Sequence, residues 1–231
     1  VGTAPIYNLR QRMLDRLRRE RRQLRRAGSV RVWLLYLPGP GPLLMSWLRK
    51  RWVLLRNPHA RIEFHGPVYL GPGFSLDMPR GGTLIVGQAV EFRRGFRAEF
   101  ANPESTIIVG DATIFTYDVL VQCSTAIEIG QRCQFGQTTI LLDAQHRFRD
   151  LTRPMLEQGY DFHPLRIEDD ATVTSKCTIM SDLGRRAFIG AGSVVTRPVP
   201  AYTVAVGAPA RAIEYFGPPG EEPAELRATV T

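Results

Sequence analysis

A chain of 231 residues that is 44% apolar and 23% charged has room for one sizeable domain with appendages, and its composition is that of a globular protein. Its three cysteines, Cys123, Cys133 and Cys177, are odd in number and lack C-x-x-C spacing, which argues against a disulfide frame and for buried thiols in a reducing compartment. Charge is unevenly spread. Residues 1–56 hold 14 basic residues against Asp15 and Glu20, a local +12, which leaves −4 for residues 57–231 of the whole-chain +8.

The opening residues lead into arginines rather than an apolar core with a small-residue cleavage site, so no signal peptide is expected. The longest apolar run, Val32 to Pro38, is too short to span a bilayer, and a cytoplasmic location is expected. Asn8 to Ala27 reads as an arginine-rich helix with Leu9, Met13, Leu17 and Leu24 on one face, ended by Gly28. The Leu37–Pro42 stretch, LPGPGP, cannot continue it. A second amphipathic helix is expected from Leu43 to Arg56, with Leu44, Trp47, Leu48, Trp52 and Leu55 on one side beside Arg49, Lys50, Arg51 and Arg56. Two readings of this module, residues 1–56, stand side by side. It caps the end of the following domain, or it docks on an anionic membrane surface. Nucleic acid is not expected as a partner, because no reading motif accompanies the arginines.

From Phe64 onward apolar residues recur at intervals of six. The triplets are Phe64, Leu70 and Leu76; Val86, Phe92 and Ala98; Val109, Phe115 and Val121; Ile129, Phe135 and Leu141; Ile167, Val173 and Ile179; Leu183, Ile189 and Val195. Gly71, Gly87, Gly110, Gly130, Gly136, Gly184 and Gly190 each directly follow one of these residues. Such a period fits neither an α-helix nor a hairpin sheet, and it predicts a parallel β-helix of hexapeptide repeats, an all-β domain over residues 57–216 behind an α-helical extension. The glycines are expected to supply corner backbone angles. The spacing of four between Ile179 and Leu183 predicts a pinched coil there. Leu141 and Ile167 are 26 residues apart, so a long loop, residues 142–166, leaves the regular structure, and such loops usually carry function. Residues 217–231 are acidic and rich in Pro and Gly, and a flexible tail is expected.

The ladder together with the ending IGAGSVVTRPVPAYTVAVGAPAR resembles the hexapeptide-repeat, left-handed β-helix acyltransferases, over roughly Phe64 to Phe216. The ending is similar to that of CoA-dependent sugar and antibiotic O-acetyltransferases within that family. The resemblance implies a left-handed coil, a rare exception to the usual crossover hand. It also implies a homotrimer, and acetyl-CoA or another acyl-CoA as donor, with a hydroxyl of a sugar or glycolipid precursor as acceptor. His146, in DAQHRFRD, stands where the family keeps its general base, and an imidazole suits that task near neutrality. Many relatives carry H-x-H there; Ala144 replaces the first histidine. Asp118, Gln122, Arg147, Asp150, Arg153 and His163 are candidates for acceptor contacts, with Asp150 alternatively orienting His146 and the arginines holding an anionic substituent. By resemblance Ser175, Ala191 and Thr196 meet the pantetheine arm, and Arg197 and Arg211 the nucleotide end. Where relatives commonly read VWIG, this chain has Ala171-Thr172-Val173-Thr174. A histidine zinc site, as in β-helical carbonic anhydrases, is not expected, since close H-x(4)-H spacing is absent and no metal is implied. The other readings are an N-acyltransferase acting on an aminosugar and a non-catalytic, membrane-docking β-helix scaffold.

Overall fold

The computed structural model describes Asp15 and residues 41–227; the remainder of residues 1–40, which includes the arginine-rich segment and Gly28, and residues 228–231 lie outside the described residues. From Arg61 the chain forms short strands that pair with the strand about one full circuit later rather than with their neighbours in sequence. Sheet A holds Arg61–Phe64, Thr83–Val86, Thr106–Val109, Ala126–Ile129 and Leu165–Ile167 in that order. Sheet B starts at Tyr69–Leu70 and sheet C at Ser75–Asp77, and the chain visits A, B and C in turn. The winding is parallel throughout, as three-sided coiling requires. It ends where Ala210–Tyr215 turns back antiparallel on Thr203–Gly207.

The six-residue ladder lies in register. Phe64, Val86, Val109, Ile129 and Ile167 are paired in succession up sheet A, and bridges continue the row to Leu183 and Val199. Leu70, Phe92, Phe115, Phe135, Val173 and Ile189 do the same in sheet B, and Ala205 follows them. Leu76, Ala98, Val121, Leu141, Ile179 and Val195 form the row of sheet C. Nearly all of these side chains are buried inside the coil. Phe92, Phe115 and Phe135 stack with ring centroids 5.0 and 4.9 Å apart. A second inward row, two residues before each rung, mixes large side chains such as Leu84, Phe96, Ile107 and Ile127 with small ones such as Thr113, Cys133, Ala171, Cys177 and Ala187. All three cysteines are free and buried. Burial pushes the Cys123 and Cys133 thiols up to about 12, so they serve as core packing rather than as nucleophiles.

The corners revise one expectation. Besides Gly73, Gly95 and Gly192, the left-handed backbone conformation three residues after a rung falls on Ala89, Ala112, Asp118, Arg132, Thr138, Asp170, Lys176, Arg186 and Tyr202, none of them glycine. Each of these residues donates its N–H to a carbonyl of the coil before it, as Ala112 does to Gln88 and Arg132 to Asp111. The glycines directly after the rungs have ordinary φ. They are required by close approach instead: a Cβ on Gly71 would lie 2.7 Å from the Arg93 carbonyl carbon, and one on Gly110 2.6 Å from the Gln131 nitrogen. The pinch expected between Ile179 and Leu183 is likewise no isolated defect. Val195 to Val199 repeats the same spacing, and both coils stay in register.

The predicted helix forms as α1, Gly41–Arg56, and packs on Tyr69–Leu70 at the first coil. Asn57 closes it, its side-chain amide and backbone N–H both donating to the Val53 carbonyl. Ala224–Arg227, in the tail, makes a single helical turn against the last strand.

Candidate active site

The chain leaves sheet C after Ile140–Leu142 and builds a two-stranded antiparallel hairpin, Ala144–His146 with Tyr160–Phe162, before it rejoins sheet A at Leu165. The root is held by Asp143, which is buried. Its carboxylate accepts the N–H groups of Ser124 and Thr125, both at 2.7 Å, and the Thr125 hydroxyl at 2.9 Å. Its carbonyl accepts the His163 N–H at 2.8 Å, so one residue ties both ends of the excursion to the coil below. Such charge-assisted bonds at a buried carboxylate are among the stronger ones.

His146 lies at the exposed end of the first hairpin strand, opposite Tyr160. The two rings sit 4.3 Å apart at 38°, and Phe162 extends the aromatic face 6.2 Å beyond Tyr160. Gln145, His146, Arg147, Arg149, Asp150 and Arg153 are among the residues lining an open cleft of about 540 Å³ within the loop, with Gln158 and Asp161 opposite. Three arginines on one small cleft favour an anionic or strongly polar occupant. Arg147 pairs with Asp161 at 2.7 Å across the hairpin, and Arg153 donates to the Glu157 carbonyl.

Asp150 does not orient the imidazole. One of its oxygens accepts the Thr152 N–H at 2.9 Å and the Thr152 hydroxyl at 2.6 Å. Those two bonds hold its carboxyl below the usual range, so it keeps the turn in shape on the same cleft. His163 is exposed on the return limb and does not line the cleft. Gln122 faces outward on sheet C one coil below Leu142 and donates to Glu99 at 2.8 Å. Asp118 occupies a left-handed B–C corner and does not line the cleft either.

The donor candidates fall into three groups. Ser175 and Ala191 stack on the B–C edge of successive coils, where Gly192 donates its N–H to the Ser175 carbonyl. Thr196 and Arg197 lie exposed just past Val195, on the C–A edge. The hairpin leaves that same edge two coils earlier, and two strand spacings amount to about 10 Å. Arg211 is exposed on the returning strand beside sheet B. The outer face of sheet C is thus bordered by Ser175 and Ala191 on one side and by Thr196, Arg197 and the His146 hairpin on the other. Among the described residues no cluster of His, Cys, Asp or Glu has metal-binding geometry.

Tyr160 and Asp143 escaped the reading of the sequence. Asp143 had a signal, a carboxylate two residues past the last rung before the ladder's widest break. Tyr160 had none, because only the hairpin register sets it against His146.

No protein-family model matches the chain. It is 30% identical over 175 residues to a probable acetyltransferase of Mycobacterium tuberculosis, Rv3034c, a match that spans 73% of this chain and 57% of that protein. The chain therefore covers somewhat over half the length of this curated relative. Among solved structures, the hexapeptide-repeat acetyltransferase VCA0836 of Vibrio cholerae, complexed with acetyl-CoA, matches with a TM-score of 0.51 at 22% identity, over 74% of this chain and 79% of that one. A mutant of AntD, an N-acyltransferase of Bacillus cereus in complex with dTDP and coenzyme A, matches with a TM-score of 0.58 at 16% identity, over 74% and 88%. These likenesses establish the fold: the chain is wound like the hexapeptide-repeat acetyltransferases.

Proposed function

We propose that this chain is a CoA-dependent O-acyltransferase that moves an acetyl group to a hydroxyl of a sugar or glycolipid precursor, in a left-handed β-helix that works as a homotrimer. One observation carries the reading. In a fold shared with an acetyltransferase that binds acetyl-CoA, an exposed histidine stands on a hairpin at the edge of the sheet whose far edge offers Ser175 and Ala191.

The bound donor supplies an activated thioester. Ser175, Ala191 and Thr196 border the outer face of sheet C, along which its extended arm would lie, and the exposed Arg197 and Arg211 suit its phosphates. The neutral imidazole of His146 accepts the proton of the acceptor hydroxyl as that oxygen attacks, and returns it to the departing sulfur. Tyr160 limits the ring's rotation by packing against it. Arg147, Arg149 and Arg153 give the acceptor cleft a preference for acidic or phosphorylated sugars. Because Asp150 is spent on Thr152, His146 works without a carboxylate partner from that residue.

The test is thiol release from acetyl-CoA against a panel of hydroxyl and amino sugars. His146→Ala is expected to lower turnover about a hundredfold with coenzyme A binding retained. Near-wild-type turnover in that variant refutes the mechanism, and turnover confined to amino sugars replaces O-acylation by N-acylation. Light scattering tests the trimer, since a fully active monomer excludes a site shared between subunits.

A further inference from the structure

α1 is amphipathic, yet its apolar face points away from the body on which it sits. The side in contact with the first coil is polar or narrow. The Ser46 hydroxyl accepts the Leu70 N–H at 2.8 Å and reaches the Val68 carbonyl, Arg49 donates to the Leu70 carbonyl at 3.0 Å, and Val53 is buried. At 100° per residue the opposite side carries Leu44, Trp47, Leu48, Arg51, Trp52 and Leu55. Trp47 is 51% exposed, Trp52 63% and Leu55 75%. Nothing in the coil needs these side chains, and contiguous apolar patches of this kind mark interaction surfaces.

The charges around the patch indicate the partner. The Arg51 guanidinium stands 5.3 Å over the Trp47 ring and Arg56 is exposed at the helix end, while Lys50 is turned to the Phe64 ring, 4.5 Å away. By sequence, residues 1–56 carry +12 and residues 57–231 carry −4. We propose that this face of α1 docks on the surface of an anionic lipid bilayer, with the helix in the interfacial plane and Trp47, Trp52 and Leu55 entering the boundary between headgroups and chains. Tryptophan suits that boundary because its ring is apolar and its N–H finds polar partners there. The arginines are drawn to anionic headgroups, and the acidic body is repelled, so the charge asymmetry orients the molecule with α1 toward the membrane. No described helix is long and apolar enough to cross the bilayer, and the proposed mode for α1 is interfacial.

The inference does not rest on acyl transfer, and its test uses neither donor nor acceptor. The full chain is sedimented with vesicles of phosphatidylcholine alone or mixed with phosphatidylglycerol, across a series of salt concentrations. Binding is expected on the anionic vesicles, weakening steeply with salt, and at least about tenfold weaker on phosphatidylcholine alone. The variant Trp47→Ser/Trp52→Ser/Leu55→Ser is expected to lose at least about tenfold in binding with its circular dichroism and unfolding midpoint unchanged, because all three side chains are exposed. Wild-type protein that ignores anionic vesicles overturns the proposal, as does a variant that binds them equally well. A drop in molar mass on making the variant overturns it too, assigning the face to contact between copies of the chain.

Discussion

Two edges of the coil and the third obey different rules. From sheet A to B and from B to C the rungs are six residues apart in every coil, as in Val86 to Phe92 to Ala98 or Ile167 to Val173 to Ile179. From C back to A the spacing ranges from four, between Val195 and Val199, through ten, between Leu76 and Val86, to 26, between Leu141 and Ile167. The fixed edges are ratcheted: a left-handed residue three past each rung bonds to a carbonyl of the coil below, and a glycine or tight contact lies between them. No such residue recurs on the C–A edge, where among the described residues positive φ is confined to Gly81, Gly82 and Gly159. An excursion can therefore leave there at little cost to the stack, and the candidate base, His146, is carried by the longest one.

The sharpest way to break this contrast is insertion. Two glycines placed between Asp111 and Ala112, on an A–B corner, are expected to cost more than about 5 kcal/mol, the whole stability of a marginal domain. The same pair between Pro103 and Glu104, on a C–A corner, is expected to cost about 1 kcal/mol. Urea unfolding of the two proteins decides it, and equal losses would dissolve the distinction. Phe115→Ala, which empties the fully buried centre of the aromatic stack, is expected to lose about 3–5 kcal/mol by the same measurement.

The next two changes act on the excursion. Asp143→Ala leaves the N–H groups of Ser124 and Thr125 without their acceptor, a loss of about 2–3 kcal/mol, and hydrogen exchange is expected to rise in the hairpin before the coil. Tyr160→Ala is expected to leave the unfolding midpoint unchanged, since the ring is half-exposed, while lowering kcat about tenfold. Tyr160→Phe is expected to keep kcat, because the ring packed against His146 and not the hydroxyl is the contact. The smallest effect is on a fixed corner. Arg132 grips the Asp170 carboxylate at 2.6 and 2.8 Å and holds its pKa below the ordinary value. A carboxylate with a depressed folded pKa adds stability above its unfolded value of about 4, and that stability is lost as pH falls through the folded value. Arg132→Gln is therefore expected to cost about 1 kcal/mol or less at neutral pH, with the difference vanishing in acid.

Much of this architecture was readable before any coordinates. Each rung is a local choice of one apolar residue in six, and a period that persists across the chain admits few folds, so the register from Phe64 to Val195 followed residue by residue. The break after Leu141 located the excursion for the same reason. The glycines were located correctly but explained by the wrong cause, because contact between a glycine and the next coil is invisible until the coils are stacked. The hairpin inside the loop carries no such period. Its register is set by the Asp143 anchor and the Arg147–Asp161 pair, and these meet only once the chain has doubled back.

The direction in which α1 faces belongs to the same class. Periodicity showed that Leu44, Trp47, Leu48, Trp52 and Leu55 share one side of a helix, which follows from 3.6 residues per turn and needs no partner. Which side meets the coil was decided by Ser46 and Arg49 reaching the Val68 and Leu70 backbone at the open end of sheet B. The sequence by itself determined what repeats, since repetition is local and is enforced at every coil. Tertiary structure decided what happens once: the apposition of Tyr160 to His146, the turning of Asp150 toward Thr152 and the outward face of α1. Each depends on a contact between segments whose spacing follows no period.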